Sequence, residues 1–172
     1  MPYAAVAVAN FFIGKSLAEE FPRTNLALQK LVFFSHATYY KKFGTPLVDD
    51  PAIAWPYGPV FLDLYQRLAK YGNSPVQEKI RVAKIADDGT ISSGIPCIQE
   101  DDFDTKSFLS AAWNALGHFP VGKLVSASHS SGGAWFETVQ KLNIDPTNMD
   151  VVFRELPRNV TIFDEVIRKC GR

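Results

Sequence analysis

Residues 3–20 set Val8, Phe11, Phe12 and Ile13 among alanines, which predicts a first helix with one apolar side. Phe21-Pro22 ends it, because the residue before a proline avoids the helical region. Leu28, Leu31, Val32, Ser35 and Tyr39 then recur at helical spacing, with Phe33, Phe34 and Tyr40 on neighbouring faces. This predicts a second helix over 26–42, capped by Thr24 or Asn25 and stopped by Gly44. A helix apolar on so many sides belongs at the centre of the core. A loop over 45–57 leads to a third helix over 59–70, closed by Gly72. Pro59 suits its first turn, where no backbone donor is needed and the fixed φ presets the helix.

The pattern changes over 80–95. Ile80, Val82, Ala83 and Ile85 precede Asp87-Asp88-Gly89, and Ile91 and Ile95 follow, which predicts a β-hairpin. Asp101 or Asp102 caps a fourth helix over 103–116, and further helices are expected over 121–129 and 133–142. A short strand over 151–153 and a last helix over 161–169 complete the reading. The fold class is mainly α, a single compact helical domain over 1–172 with a small β-hairpin.

The richest local pattern is Ala54-Trp55-Pro56-Tyr57-Gly58-Pro59-Val60, followed by Tyr65. Two large aromatics, two prolines and a glycine describe a rigid corner, and Gly58 permits a tight or left-handed turn. Trp55, Tyr57 and Pro59 are expected to pack on the second helix near Leu31 and Phe34.

Composition narrows the function. Eighteen basic and 18 acidic residues give no net charge, and no basic stripe stands out, which argues against a nucleic-acid partner. Cys97 and Cys170 make no disulfide framework and read as free thiols of a reducing compartment. The apolar run over 2–13 has no basic leader region and is too short to span a bilayer, so no membrane partner is expected and the localisation read here is cytoplasmic.

Catalytic and cofactor signatures do not appear. His36, His118 and His129 lack metal-ligand spacing, and no glycine-rich phosphate loop is present, so no metal or other cofactor is expected. Ser128-His129-Ser130-Ser131 looks superficially catalytic, but adjacent residues seldom face one another as nucleophile and base. No catalytic residue is assigned and no enzyme is expected. His36, inside an apolar helix, reads as a hydrogen-bonded core residue. The acidic Glu100-Asp101-Asp102-Phe103-Asp104 run reads first as a dipole-favoured helix start and second as a docking surface.

Three segments together resemble the Panacea domain family, which comprises SocA-like antitoxins and phage-associated GepA-like proteins. Gln29, Lys30 and Leu31, within Leu28-Gln29-Lys30-Leu31-Val32-Phe33-Phe34-Ser35, resemble its first motif, a leucine-rich helix. Trp55, Tyr57, Gly58 and Pro59, with Tyr65 after them, resemble its most distinctive motif, and Pro46-Leu47 stands where the family often has Pro-Leu. His129 and Trp135 resemble a third motif. Pro56 replaces a usually polar or basic residue, Ser130-Ser131 replaces Gln-Glu, and Ala134 replaces a proline.

The resemblance implies an antitoxin-like protein that neutralises a cognate protein toxin by direct contact. SocA-like members can also act as adaptors that deliver a toxin to a AAA+ protease. The alternatives are a DNA-binding transcriptional regulator, as many antitoxins are, and a phage-associated interaction protein. The candidate partner-binding residues are Tyr57, Asp101, Asp102, His129 and Trp135. The surplus of aromatics, 13 of them Phe, suits interface anchors.

Overall fold

The computed structural model describes residues 1–142. The fold is mainly α, with six helices and two small antiparallel hairpins among these residues. The strand expected over 151–153, the helix over 161–169 and Cys170 lie outside the described residues.

Helix α1 spans Ala5–Ala18 and buries alanines together with Val8, Phe12 and Ile13. Thr24 caps α2, Asn25–Phe43, by accepting the Ala27 amide at 3.3 Å. Gly44 ends α2 in the left-handed region at φ +70, where its amide returns to the Tyr40 carbonyl at 2.8 Å. Residues 27–35 of α2 are buried without interruption, so this helix is surrounded by α1, by the helices that follow it and by the first hairpin.

The segment after α2 departs from the sequence expectation. The expected loop over 45–57 contains β1, Ala52–Trp55, and Pro59 lies in β2, Gly58–Phe61, rather than in a helical turn. The two strands pair antiparallel with Trp55 opposite Gly58 and Ala54 opposite Pro59. Antiparallel pairs alternate between bonded and non-bonded positions, so a residue without an N–H fits a position whose donor would aim outward. Helix α3 therefore starts late, at Leu62–Leu68, and passes into a 3-10 turn at Ala69–Tyr71.

The second hairpin forms where the pattern placed it, with β3 at Val82–Ile85 and β4 at Ile91–Gly94. Asp102 caps α4, Phe103–Leu116, by accepting the Thr105 amide at 3.0 Å. The chain closes with α5, Val121–Ser128, and α6, Ala134–Leu142. The core centres on Phe12, Leu28, Leu31, Phe34, Leu109 and Trp113, all at most 1% exposed. Burying a side chain of this size stabilises the fold by roughly 2–3 kcal/mol. Phe12 stacks on Trp113 with ring centres 6.3 Å apart, which ties α1 to α4. His36 is half-buried, and its Nδ1 accepts the Val48 amide at 3.0 Å. Cys97 is an exposed free thiol. Among the described residues no helix is long and apolar enough to cross a membrane.

Candidate functional site

The three motif segments meet at the β1–β2 hairpin. Among the described residues its outer edge along β2 has no third strand, and α2 supplies side chains in its place. Gln29 Oε1 accepts the Phe61 amide at 2.9 Å, and Lys30 Nζ donates to the Pro59 carbonyl at 2.9 Å. Pro59 and Phe61 are two residues apart, so their backbone groups face the same side of the strand. Gln29 and Lys30 thus satisfy an edge that would otherwise leave buried polar groups unpaired.

Lys30 is 0% exposed, and desolvation pulls its amine down from 10.5 to about 7. Gly58 lies against it at φ +93. A Cβ built there would sit 2.9 Å from Lys30 Nζ and would overlap Ser128 Oγ. Only glycine meets both the left-handed backbone and the close approach of α2 and α5.

The turn is held from the other side by the third motif. Trp135 Nε1 donates to the Trp55 carbonyl at 2.7 Å, and His129 Nε2 lies 3.1 Å from the Pro56 carbonyl. The His129 and Trp135 rings meet edge to face with centres 4.0 Å apart. His129 Nδ1 lies 2.8 Å from the Val125 carbonyl, and Ser128 Oγ donates to that same carbonyl at 2.7 Å. A neutral imidazole has one N–H, so it donates to one of these two carbonyls at a time. Ser128 and His129 are thus both turned onto backbone oxygens and not onto each other.

The structure separates the residues singled out from sequence. Trp135 is buried, His129 is half-buried, and both serve the hairpin. Trp55 is half-buried, and Tyr65 lies edge to face upon it with ring centres 4.7 Å apart. Tyr57 was expected in the core, but it occupies the hairpin turn and is 68% exposed. A two-residue turn directs its side chains away from the strands' buried face, which explains the difference. Asp102 caps α4 and also accepts the Tyr3 hydroxyl at 2.6 Å, whereas Asp101 is exposed. The Tyr3 bond holds the Asp102 carboxyl below the usual range, while burial and Asp102 push Tyr3 up to about 12.

Beside the turn, Leu26, Trp55, Tyr57, Val60 and Tyr65 line an open groove of about 440 Å³, with Asn25 and Gln29 at its polar side. Leu26 and Val60 were not anticipated as groove walls. The sequence signals were the place of Val60 at the end of the motif string and of Leu26 one helical turn before Gln29. Among the described residues no cluster of His, Cys, Asp or Glu is placed to hold a metal ion.

A central helix that caps a Trp-Pro-Tyr-Gly-Pro hairpin, locked from behind by His129 and Trp135, joins three sequence motifs into one scaffold. Residues 28–136 match the family described as "Antitoxin SocA-like, Panacea domain". The chain belongs to that family, which supports an antitoxin role. It is 35% identical over 133 residues to Antitoxin SocA of Caulobacter vibrioides, a match that covers 76% of this chain and 68% of that protein. No solved structure matches this one.

Proposed function

We propose that this protein neutralises a cognate protein toxin by direct binding, with the groove beside the β1–β2 turn as the contact surface. Tyr57 is the projecting anchor, and Leu26, Trp55, Val60 and Tyr65 form the apolar floor and walls. The observation that carries the reading is a large aromatic left 68% exposed on a turn whose backbone is fixed from both sides. Rigid, exposed aromatics lose little conformational entropy on binding and recur as interface anchors. The family's antitoxin role supplies the class of partner. His129 and Trp135 contribute by holding the turn, and Asp101 offers an exposed charge at the start of α4.

Catalysis plays no part in this reading, because neutralisation follows from occupying the toxin. The reading places the encounter with the toxin in the cytoplasm, a reducing compartment that suits the free thiol of Cys97. The test is co-expression with the toxin encoded beside this protein, scored for growth rescue and for a purified complex. Tyr57→Ala is expected to fold normally and to lose both. Rescue without a complex at micromolar concentration would overturn direct binding. A complex that forms while toxin levels fall only when a AAA+ protease is active would add the adaptor mode to it.

A further inference from the structure

The second hairpin has a different chemistry from the first. Each of its strands has one partner among the described residues, so the outer edges of β3 and β4 are open. Ile85 and Ile91 oppose each other near the tip and are 74% and 73% exposed. Ala83 and Ser93, on the same face by strand alternation, are exposed as well. Two-stranded ribbons are marginal by themselves and open edges invite a further strand.

This ribbon is nevertheless firmly based. Asn10 of α1 is 2% exposed and clamps both stems. Its Nδ2 donates to the Ile80 carbonyl at 3.0 Å and the Pro96 carbonyl at 2.9 Å, and its Oδ1 accepts the Ile80 amide at 2.7 Å.

A cleft of about 420 Å³ opens at the foot of β3, between the end of α3 and residues 78–81. Arg67, Lys70, Lys79 and Arg81 line it against a single acid, Glu78. Lys70 holds Glu78 at 2.8 Å and keeps its carboxyl below the usual range, and Arg67 is engaged by Asp63 at 2.8 Å. Lys79 has no carboxylate partner among the described residues, and Arg81, near Glu78, stands immediately before β3. A neutral chain has therefore concentrated an excess of base beside an open strand edge.

We infer that β3 and this cleft form a second docking surface, which takes an extended acidic segment of a protein partner. The segment adds as a strand to the free edge of β3, lays its apolar side chains along Ala83 and Ile85, and directs carboxylates to Lys79 and Arg81. Charge complementarity selects this occupant. A second copy of the chain is disfavoured, since strands of four residues are about 13 Å long and bury far less than the roughly 1,000 Å² of a stable interface.

The test uses the isolated protein without any toxin, so its outcome is independent of the proposed toxin-binding groove. The probe is a fluorescent peptide of about eight residues, with Val–Thr–Val–Thr at one end to run along β3 and about four glutamates at the other to meet Lys79 and Arg81. Saturable binding is expected in the range of about 10–100 µM, weakened about tenfold by the Lys79→Glu, Arg81→Glu double variant and by high salt. Hydrogen exchange at the β3 amides should slow when the peptide binds. Absence of binding at about 1 mM peptide would overturn the inference, and so would unchanged β3 exchange in the complex. Equal affinity for the same peptide with lysines in place of its glutamates would overturn charge selection, and tighter binding of a single-stranded oligonucleotide would make the cleft a phosphate-backbone site instead.

Discussion

Lys30 donates its ammonium proton to the Pro59 carbonyl at 2.9 Å, and it does so from a position that is 0% exposed. A helix side chain here performs the work of a missing β-strand. Its amine is lowered from 10.5 to about 7 by desolvation, so between those values the unfolded chain binds a proton that the folded chain does not. Stability therefore rises with pH across that window, by up to about 1.4 kcal/mol per pH unit. Below about pH 7 both states are protonated and the slope vanishes. Thermal melts of the wild type and of Lys30→Met at several pH values should show the wild type gaining on the variant as pH rises toward about 10. A constant difference would mean that the amine is solvated.

Gly58→Ala should destabilise the protein by at least about 2 kcal/mol, from the positive φ and the overlap with Ser128 combined. Chemical denaturation measures it. Gly58→Ala combined with Ser128→Ala, which removes the overlapping hydroxyl, should recover the part due to Ser128 and leave the backbone strain and the close contact with Lys30.

Trp135→Phe keeps most of the buried ring but removes the N–H held by the Trp55 carbonyl. Leaving that acceptor unpaired should cost about 1–3 kcal/mol. The loss should concentrate at the hairpin, so faster amide exchange over 52–61 than elsewhere is the expected signature.

Tyr57→Ala should change stability by no more than about 0.5 kcal/mol, because the side chain is mostly in solvent. It should still abolish the toxin complex in a pull-down. A complex of undiminished affinity would move the contact surface elsewhere.

Tyr3 joins the N-terminus to the start of α4 through Asp102 at 2.6 Å. The Tyr3 hydroxyl is the main cause of the lowered Asp102 carboxyl, so their bond stabilises the fold above the ordinary carboxylate range. That stabilisation is lost as pH falls through the folded value. Tyr3→Phe should cost about 1 kcal/mol near neutral pH and flatten the acid limb of the stability curve.

The sequence alone determined the elements whose cause is local. Periodicity placed α1 and α2, Asp87-Asp88-Gly89 placed the second hairpin, and the pair Asp101-Asp102 placed the start of α4, with the structure choosing Asp102 as the cap. The same was true of the family, because Gln29-Lys30-Leu31 and Trp55-to-Pro59 are contiguous strings. The first hairpin was not legible, since Gly58-Pro59 suits a helix start as well as a strand. Only the outer-edge contacts of Gln29 and Lys30, about 30 residues away, choose the strand. Nor could the sequence separate Tyr57 from Trp135, two aromatics of similar character, one 68% and the other 6% exposed. Exposure is a property of what packs nearby, and the neighbours of Trp135 are Trp55 and His129, brought together from three segments of the chain. The groove and the basic cleft arise in the same way, because a concave surface needs walls from separate elements and no single segment encodes one.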